Sequence, residues 1–186
     1  MSRRLVTVLG SLVAGILLSG ATTAQNGPTQ PEARPIEFAG GASAITETHG
    51  EWSVNCQAIR NTRLCSFSYQ QFDKASNQRV FGIELSARDG KVVGHLALPF
   101  GLALAKGVAL KVDDKPLEGS HGFSTCVIAG CLVPLTFDER TLSELKGSAT
   151  LAVSAFALDT GREVAFAIPL NGFTSAMNRT AQLVAD

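Results

Sequence analysis

From Trp52 onward, apolar and polar residues alternate. Trp52, Val54 and Cys56 are separated by Ser53, Asn55 and Gln57, and Cys65, Phe67 and Tyr69 by Ser66, Ser68 and Gln70. A period of two marks half-buried β-strands. A hairpin turning at Arg60-Asn61 sets 56 opposite 65, 54 opposite 67 and 52 opposite 69. Every apolar residue of the set then lands on one face and every small polar one on the other. RVFGIELSA from Arg79, VVGHLAL up to Pro99, and GLALAKGVALKV extend the strand pattern. They are punctuated by Arg88-Asp89-Gly90-Lys91 and Asp113-Asp114-Lys115-Pro116, which carry turn chemistry. HGFSTC and CLVPLTF read as strands joined through VIAG, and ATLAVSAFAL and REVAFAIPL as a hairpin around Asp159-Thr160-Gly161.

Two segments switch to helical spacing. DERTLSELKG has Asp138 as N-cap and Gly147 as stop, with Leu142 and Leu145 facing inward. NGFTSAMNRTAQL has Asn171 as the expected N-cap and Phe173, Ala176, Met177 and Thr180 on one stripe. Both are too short to organise a fold. About eight short strands with two minor helices predict an all-β protein, an antiparallel sandwich rather than a barrel.

The N-terminus has a different pattern. MSRR is basic, LVTVLGSLVAGILL is apolar, and SGATTAQ is small and polar. That order is a secretory signal peptide over residues 1–24, with Thr22 and Ala24 at the small-residue cleavage positions and a cut after Ala21 as the second choice. The apolar run, about 14 residues, is short of the roughly 20 that span a membrane. No later run is long and apolar enough to span, so no transmembrane segment is expected in the mature chain. Residues 25–45, rich in Pro, Gly and small polar residues, read as a flexible tail. Residues 46–186 are the length of one ordinary domain. Loss of Arg3 and Arg4 with the signal leaves 14 basic residues against 16 acidic ones. That balance argues against nucleic-acid binding, which depends on neutralising phosphates.

Export changes the reading of the four cysteines, because an oxidising compartment favours disulfides. Four cysteines allow three pairings. The first hairpin's register makes Cys56 and Cys65 direct neighbours, at a separation a disulfide can span. Cys126 and Cys131 are then left to each other, joining two strands at a tight corner. A zinc site fits poorly, since only the second pair has structural spacing. Neither pair has the C-x-x-C form of a redox dithiol. No metal and no cofactor are expected.

The search for catalytic chemistry finds little. His49, His95 and His121 have no metal-ligand spacing. His95, in the apolar VVGHLAL, reads as a partly buried structural residue. There is no G-x-S-x-G elbow and no phosphate-binding glycine loop. Asp113-Asp114 reads as a solvated loop rather than a paired-carboxylate site. The stretch LALPFGLALAKGVALKVDDKP is strongly apolar. It reads first as core crossing between sheets and second as a surface patch for a partner or an outer membrane.

Several of these pieces together resemble the invasion-associated locus B proteins of alphaproteobacteria. GEWSVNC, NQRVFGIEL, LALPFGLALAKGVALKVD, TCVIAGCLVPL and REVAFAIPLNGFTSAM carry the resemblance, which covers about Thr48 to Met177. It implies an exported, immunoglobulin-like antiparallel β-sandwich associated with host-cell invasion and virulence. It brings no catalytic residues. The expectation is therefore a periplasmic or secreted, non-enzymatic binding module of the cell envelope. Its partner would be an envelope or host-surface protein, with peripheral outer-membrane association as a further option. The alternative is a small periplasmic enzyme using His121 near the cysteine corner.

Overall fold

A computed structural model describes residues 36–88, 90–119 and 121–185. The expected signal peptide, 1–24, and residues 25–35 of the expected tail lie outside them. In chain order the strands are β1 (Ala44–His49), β2 (Trp52–Ile59), β3 (Thr62–Phe72), β4 (Arg79–Arg88), β5 (Lys91–Leu98), β6 (Ala109–Val112), β7 (Lys115–Pro116), β8 (Thr125–Val127), β9 (Gly130–Phe137), β10 (Thr150–Phe156) and β11 (Glu163–Pro169). Two helices, α1 (Glu139–Lys146) and α2 (Phe173–Ala185), accompany them.

The strands form two antiparallel sheets. The larger has the order β1-β2-β3-β4-β5-β9-β8 and the smaller β11-β10-β6-β7. This is the antiparallel β-sandwich expected from the alternation. The first hairpin has the expected register, with Ile59 opposite Thr62, Cys56 opposite Cys65 and Val54 opposite Phe67. Pro134 sits in β9 where the three-residue β8 no longer covers it, so β9 is an edge strand there, the place a sheet tolerates proline.

The core lies between the inner faces. Trp52 is fully buried, its ring 5.6 Å from Phe67 and 5.2 Å from Phe173 of α2. Its indole Nε1 donates to the Pro169 carbonyl of β11 at 2.9 Å, tying the larger sheet to the smaller one. Phe81 and Phe166, 5.0 Å apart, make a second bridge. Burying Phe67 and Phe173 contributes roughly 1.5–3 kcal/mol each. The apolar stripe of α2 packs against β1 to β4, and Phe173, Ala176, Met177 and Thr180 are all buried as the helical spacing predicts. Asp138 caps α1 by accepting from the Thr141 amide at 2.8 Å, and Leu142 and Leu145 are buried.

Four details differ from the sequence-based reading. Phe38 is buried and Ala44–His49 pairs with β2, so the fold takes in part of the stretch expected to be tail. GLALAKGVALKV is not one strand. Gly101 and Gly107 have φ of 85° and 65°, a 3-10 turn occupies Leu104–Lys106, and only Ala109–Val112 joins the sheet. HGFSTC is extended only at its end, from Thr125. Helix α2 starts at Phe173 rather than after Asn171, because Gly172 turns at φ 93° and the Asn171 carbonyl accepts from the Glu51 amide.

Candidate interaction site

The two cysteine pairs are both disulfides, Cys56–Cys65 and Cys126–Cys131, with Cα separations of 4.1 and 3.9 Å. Each joins residues directly opposite in an antiparallel ladder. Cys56 and Cys65 are buried at the inner face. Cys126 is exposed, and only Cys131 reaches the core.

The exposed corner organises one end of the sandwich. Beyond Cys126 and Cys131 the turn carries Ile128, which is 102% exposed. Gly130 permits this turn. Its φ is 125°, and a Cβ there would stand 2.4 Å from the Leu98 carbonyl oxygen. Leu98 pairs with Cys131, so the chain leaving β5 passes beside the corner and presents Phe100, 62% exposed. The turn between β10 and β11 arrives at the same end. The Leu158 amide donates to Gly101 at 2.8 Å, and Ala103 donates to Phe156 at 2.8 Å. Leu158 is 70% exposed. Three separate loops thus bring Phe100, Ile128 and Leu158 to one end. Cations stand at its border: Lys106 Nζ lies 4.3 Å over the Phe156 ring, and Arg79 donates to the Ala129 carbonyl.

The long apolar stretch therefore does both things its composition allows. Leu96, Leu98, Leu102, Val108, Leu110 and Val112 are core, while Phe100 and Leu104 face water. Ile128 and Leu158 were not singled out from sequence. Their signal was an apolar side chain at the centre of a tight turn, in VIAG and in the turn after Phe156, where a polar residue costs nothing.

His49 is half-buried beside Glu47, whose carboxylate receives Arg179 of α2 in a two-pronged ion pair at 2.8 Å. The Arg179 hydrogen bonds hold Glu47 down from 4.5 to about 2. Asp113 spends its carboxylate on the amides of Thr150 and Ala149, both at 3.1 Å, and those bonds lower its pKa. It clamps the start of β10 to the β6–β7 turn. His95 is half-buried on the outer face of the larger sheet, opposite Glu84. His121 is held below its ordinary pKa by burial, and its Nε2 has no hydrogen-bond partner among the described residues. Among the described residues, no three His, Cys, Asp or Glu side chains are grouped to hold a metal.

Residues 52–181 match the sequence profile of the family described as Invasion associated locus B (IalB) protein. The chain belongs to the invasion-associated locus B family. An Invasion protein B homolog from Brucella abortus (strain 2308) is 41% identical over 145 residues, covering 77% of this chain and 83% of the relative. Invasion protein B of Bartonella bacilliformis is 31% identical over 174 residues, covering 91% and 93%. The crystal structure of invasion associated protein B from Bartonella henselae superposes with a TM-score of 0.69 at 33% identity, covering 75% of this chain and 96% of that one. The two-sheet fold is thus that of a solved member of the family. The family match begins at Trp52, the residue at the centre of the core.

Proposed function

We propose that this invasion-associated locus B family member is an exported, non-catalytic binding module whose apolar end docks on a protein of the bacterial envelope or of a host-cell surface. The observation that carries this reading is the convergence of Phe100, Ile128 and Leu158, three exposed apolar side chains from three loops. A disulfide and backbone hydrogen bonds hold those loops in place. Large apolar side chains fixed in water cost solubility, and they mark an interaction surface when they are contiguous. A pre-formed end also loses little conformational freedom on docking. Two disulfides support residence in an oxidising compartment, and relatives named Invasion protein B support a role at the host-cell encounter.

The test is complementation of a deletion strain. The wild-type gene restores host-cell invasion, and so does His121→Ala. The double variant Ile128→Asp/Leu158→Asp is exported and folded but does not restore it. Full rescue by the double variant overturns the reading, and loss of rescue by His121→Ala reopens the enzymatic alternative.

A further inference from the structure

At the other end of the sandwich the larger sheet splits. The β3–β4 ladder runs from Phe72 opposite Arg79 to Phe67 opposite Leu85 and stops there. Beyond that point residues 62–66 pair only with β2, and residues 86–88 only with β5. The last pairs of the two ladders are Ile59 with Thr62 and Arg88 with Lys91. Counting along the two ladders, the N–H and C=O groups of Arg63, Cys65 and Ala87 turn toward the gap, because antiparallel residues alternate between facing one neighbour and the other. A groove of about 760 Å³ runs along the outer face of the sheet from the paired Ser68 and Glu84 into the gap, where Val184 of α2, half exposed, lines it.

The groove presents three kinds of unmet demand. Main-chain donors and acceptors on β3 and β4 lack strand partners. Arg63 donates through Nη2 to the Glu37 carbonyl at 2.7 Å and lies over the Phe38 ring, but its buried Nε has no acceptor among the described residues. Among the described residues, neither Arg63 nor Arg88 has a carboxylate within salt-bridge distance, and Glu84 is the one acidic residue lining the groove. Val184 offers apolar surface on the inner side, where Arg63 lies, and Leu64, 56% exposed, shares the outer side with Arg88. A free sheet edge takes an extended chain through its backbone, and side-chain pockets then select its residues. Buried unsatisfied donors are rare enough to need an explanation, and an incoming carboxylate or carbonyl supplies one.

We propose that this gap binds an extended segment of a partner protein, with an apolar residue between acidic ones, added as a strand along β3. This is a second site, at the opposite end from the apolar loops and independent of them. Alternate side chains of the added strand face opposite sides: the acidic residues face outward to Arg88, and the apolar one faces inward to Val184, on the side where Arg63 lies.

The test uses the mature protein and a fluorescein-labelled peptide of alternating Glu and Val. Its controls are the Lys-Val counterpart and the Glu-Val peptide N-methylated on alternate amides. The Glu-Val peptide is expected to bind about tenfold more tightly than either control. Binding should protect the amides of Arg63, Cys65 and Ala87 from hydrogen exchange. Arg88→Glu, at an exposed position, should weaken binding by about fivefold with an unchanged fold. Ala87→Pro, which removes an amide facing the gap, should do the same. Equal binding of the Lys-Val peptide removes the charge selection, and equal binding of the methylated peptide removes strand addition; either result overturns the proposal. The Ile128→Asp/Leu158→Asp protein separates the two sites. If it still binds the peptide, the groove stands whatever the fate of the apolar end. If the peptide fails on wild-type protein while invasion still depends on Ile128 and Leu158, the groove proposal falls alone.

Discussion

Both disulfides close a hairpin across directly opposed residues, but they serve different ends of the molecule. Cys56–Cys65 sits three residues from the β2–β3 turn, facing the core, and Cys65 borders the gap where β3 leaves β4. Cys126–Cys131 sits at the apolar end, with its first sulfur-bearing residue in water. The chain-entropy account gives the two loops, with sequence separations of 9 and 5, nearly the same stabilisation, differing by only about 0.5 kcal/mol. Any larger difference must come from packing. A staple facing the core contributes to the whole domain, whereas a staple at the surface sets the shape of one loop.

That contrast can be broken in several ways. The largest effect is expected for Cys56→Ala/Cys65→Ala, about 4 kcal/mol lost in urea denaturation, as cross-link and buried side chains go together. Gly130→Ala comes next, at about 3 kcal/mol, because a Cβ there meets the Leu98 carbonyl and the φ suits glycine. Cys126→Ala/Cys131→Ala should cost about 2 kcal/mol, the cross-link alone. It should also loosen amide protection in β8 without touching β2 and β3. A loss equal to that of the first pair would show that the corner is core after all.

The smaller effects sharpen the contrast. Glu47 has a depressed pKa, so its ion pair with Arg179 stabilises the fold fully above the ordinary value of 4.5. That contribution fades as pH falls toward about 2. A pH series of denaturation midpoints should be steeper in this window for wild type than for Glu47→Gln, and parallel curves would remove the pair's role. Smallest of all, Ile128→Asp should change stability by less than about 0.5 kcal/mol, since the side chain touches nothing it could lose.

The first hairpin was legible down to its register, because alternation leaves one way to put Trp52, Val54, Cys56, Cys65, Phe67 and Tyr69 on one face. Both disulfides followed from that register. Helix α1 was legible from its cap and stop. The middle of the chain was not. LALPFGLALAKGVALKV is apolar throughout, and composition cannot tell Leu102, which is buried, from Phe100, which is not. The apolar end was also hidden, since Gly101, Ile128 and Leu158 are far apart in sequence and meet only through the hydrogen bonds of three loops.

What the sequence determined by itself is what short-range pattern can encode: the period-two strands, the cysteine-stapled hairpins, the two helices and the family. What only the tertiary structure decided is where those hairpins part and where their turns converge. The end of the ladder at Phe67 and Leu85 depends on how two twisted hairpins and α2 share one core. The apolar end depends on which loops share one end of the sandwich. Both are properties of long-range packing, which no local pattern of residues records.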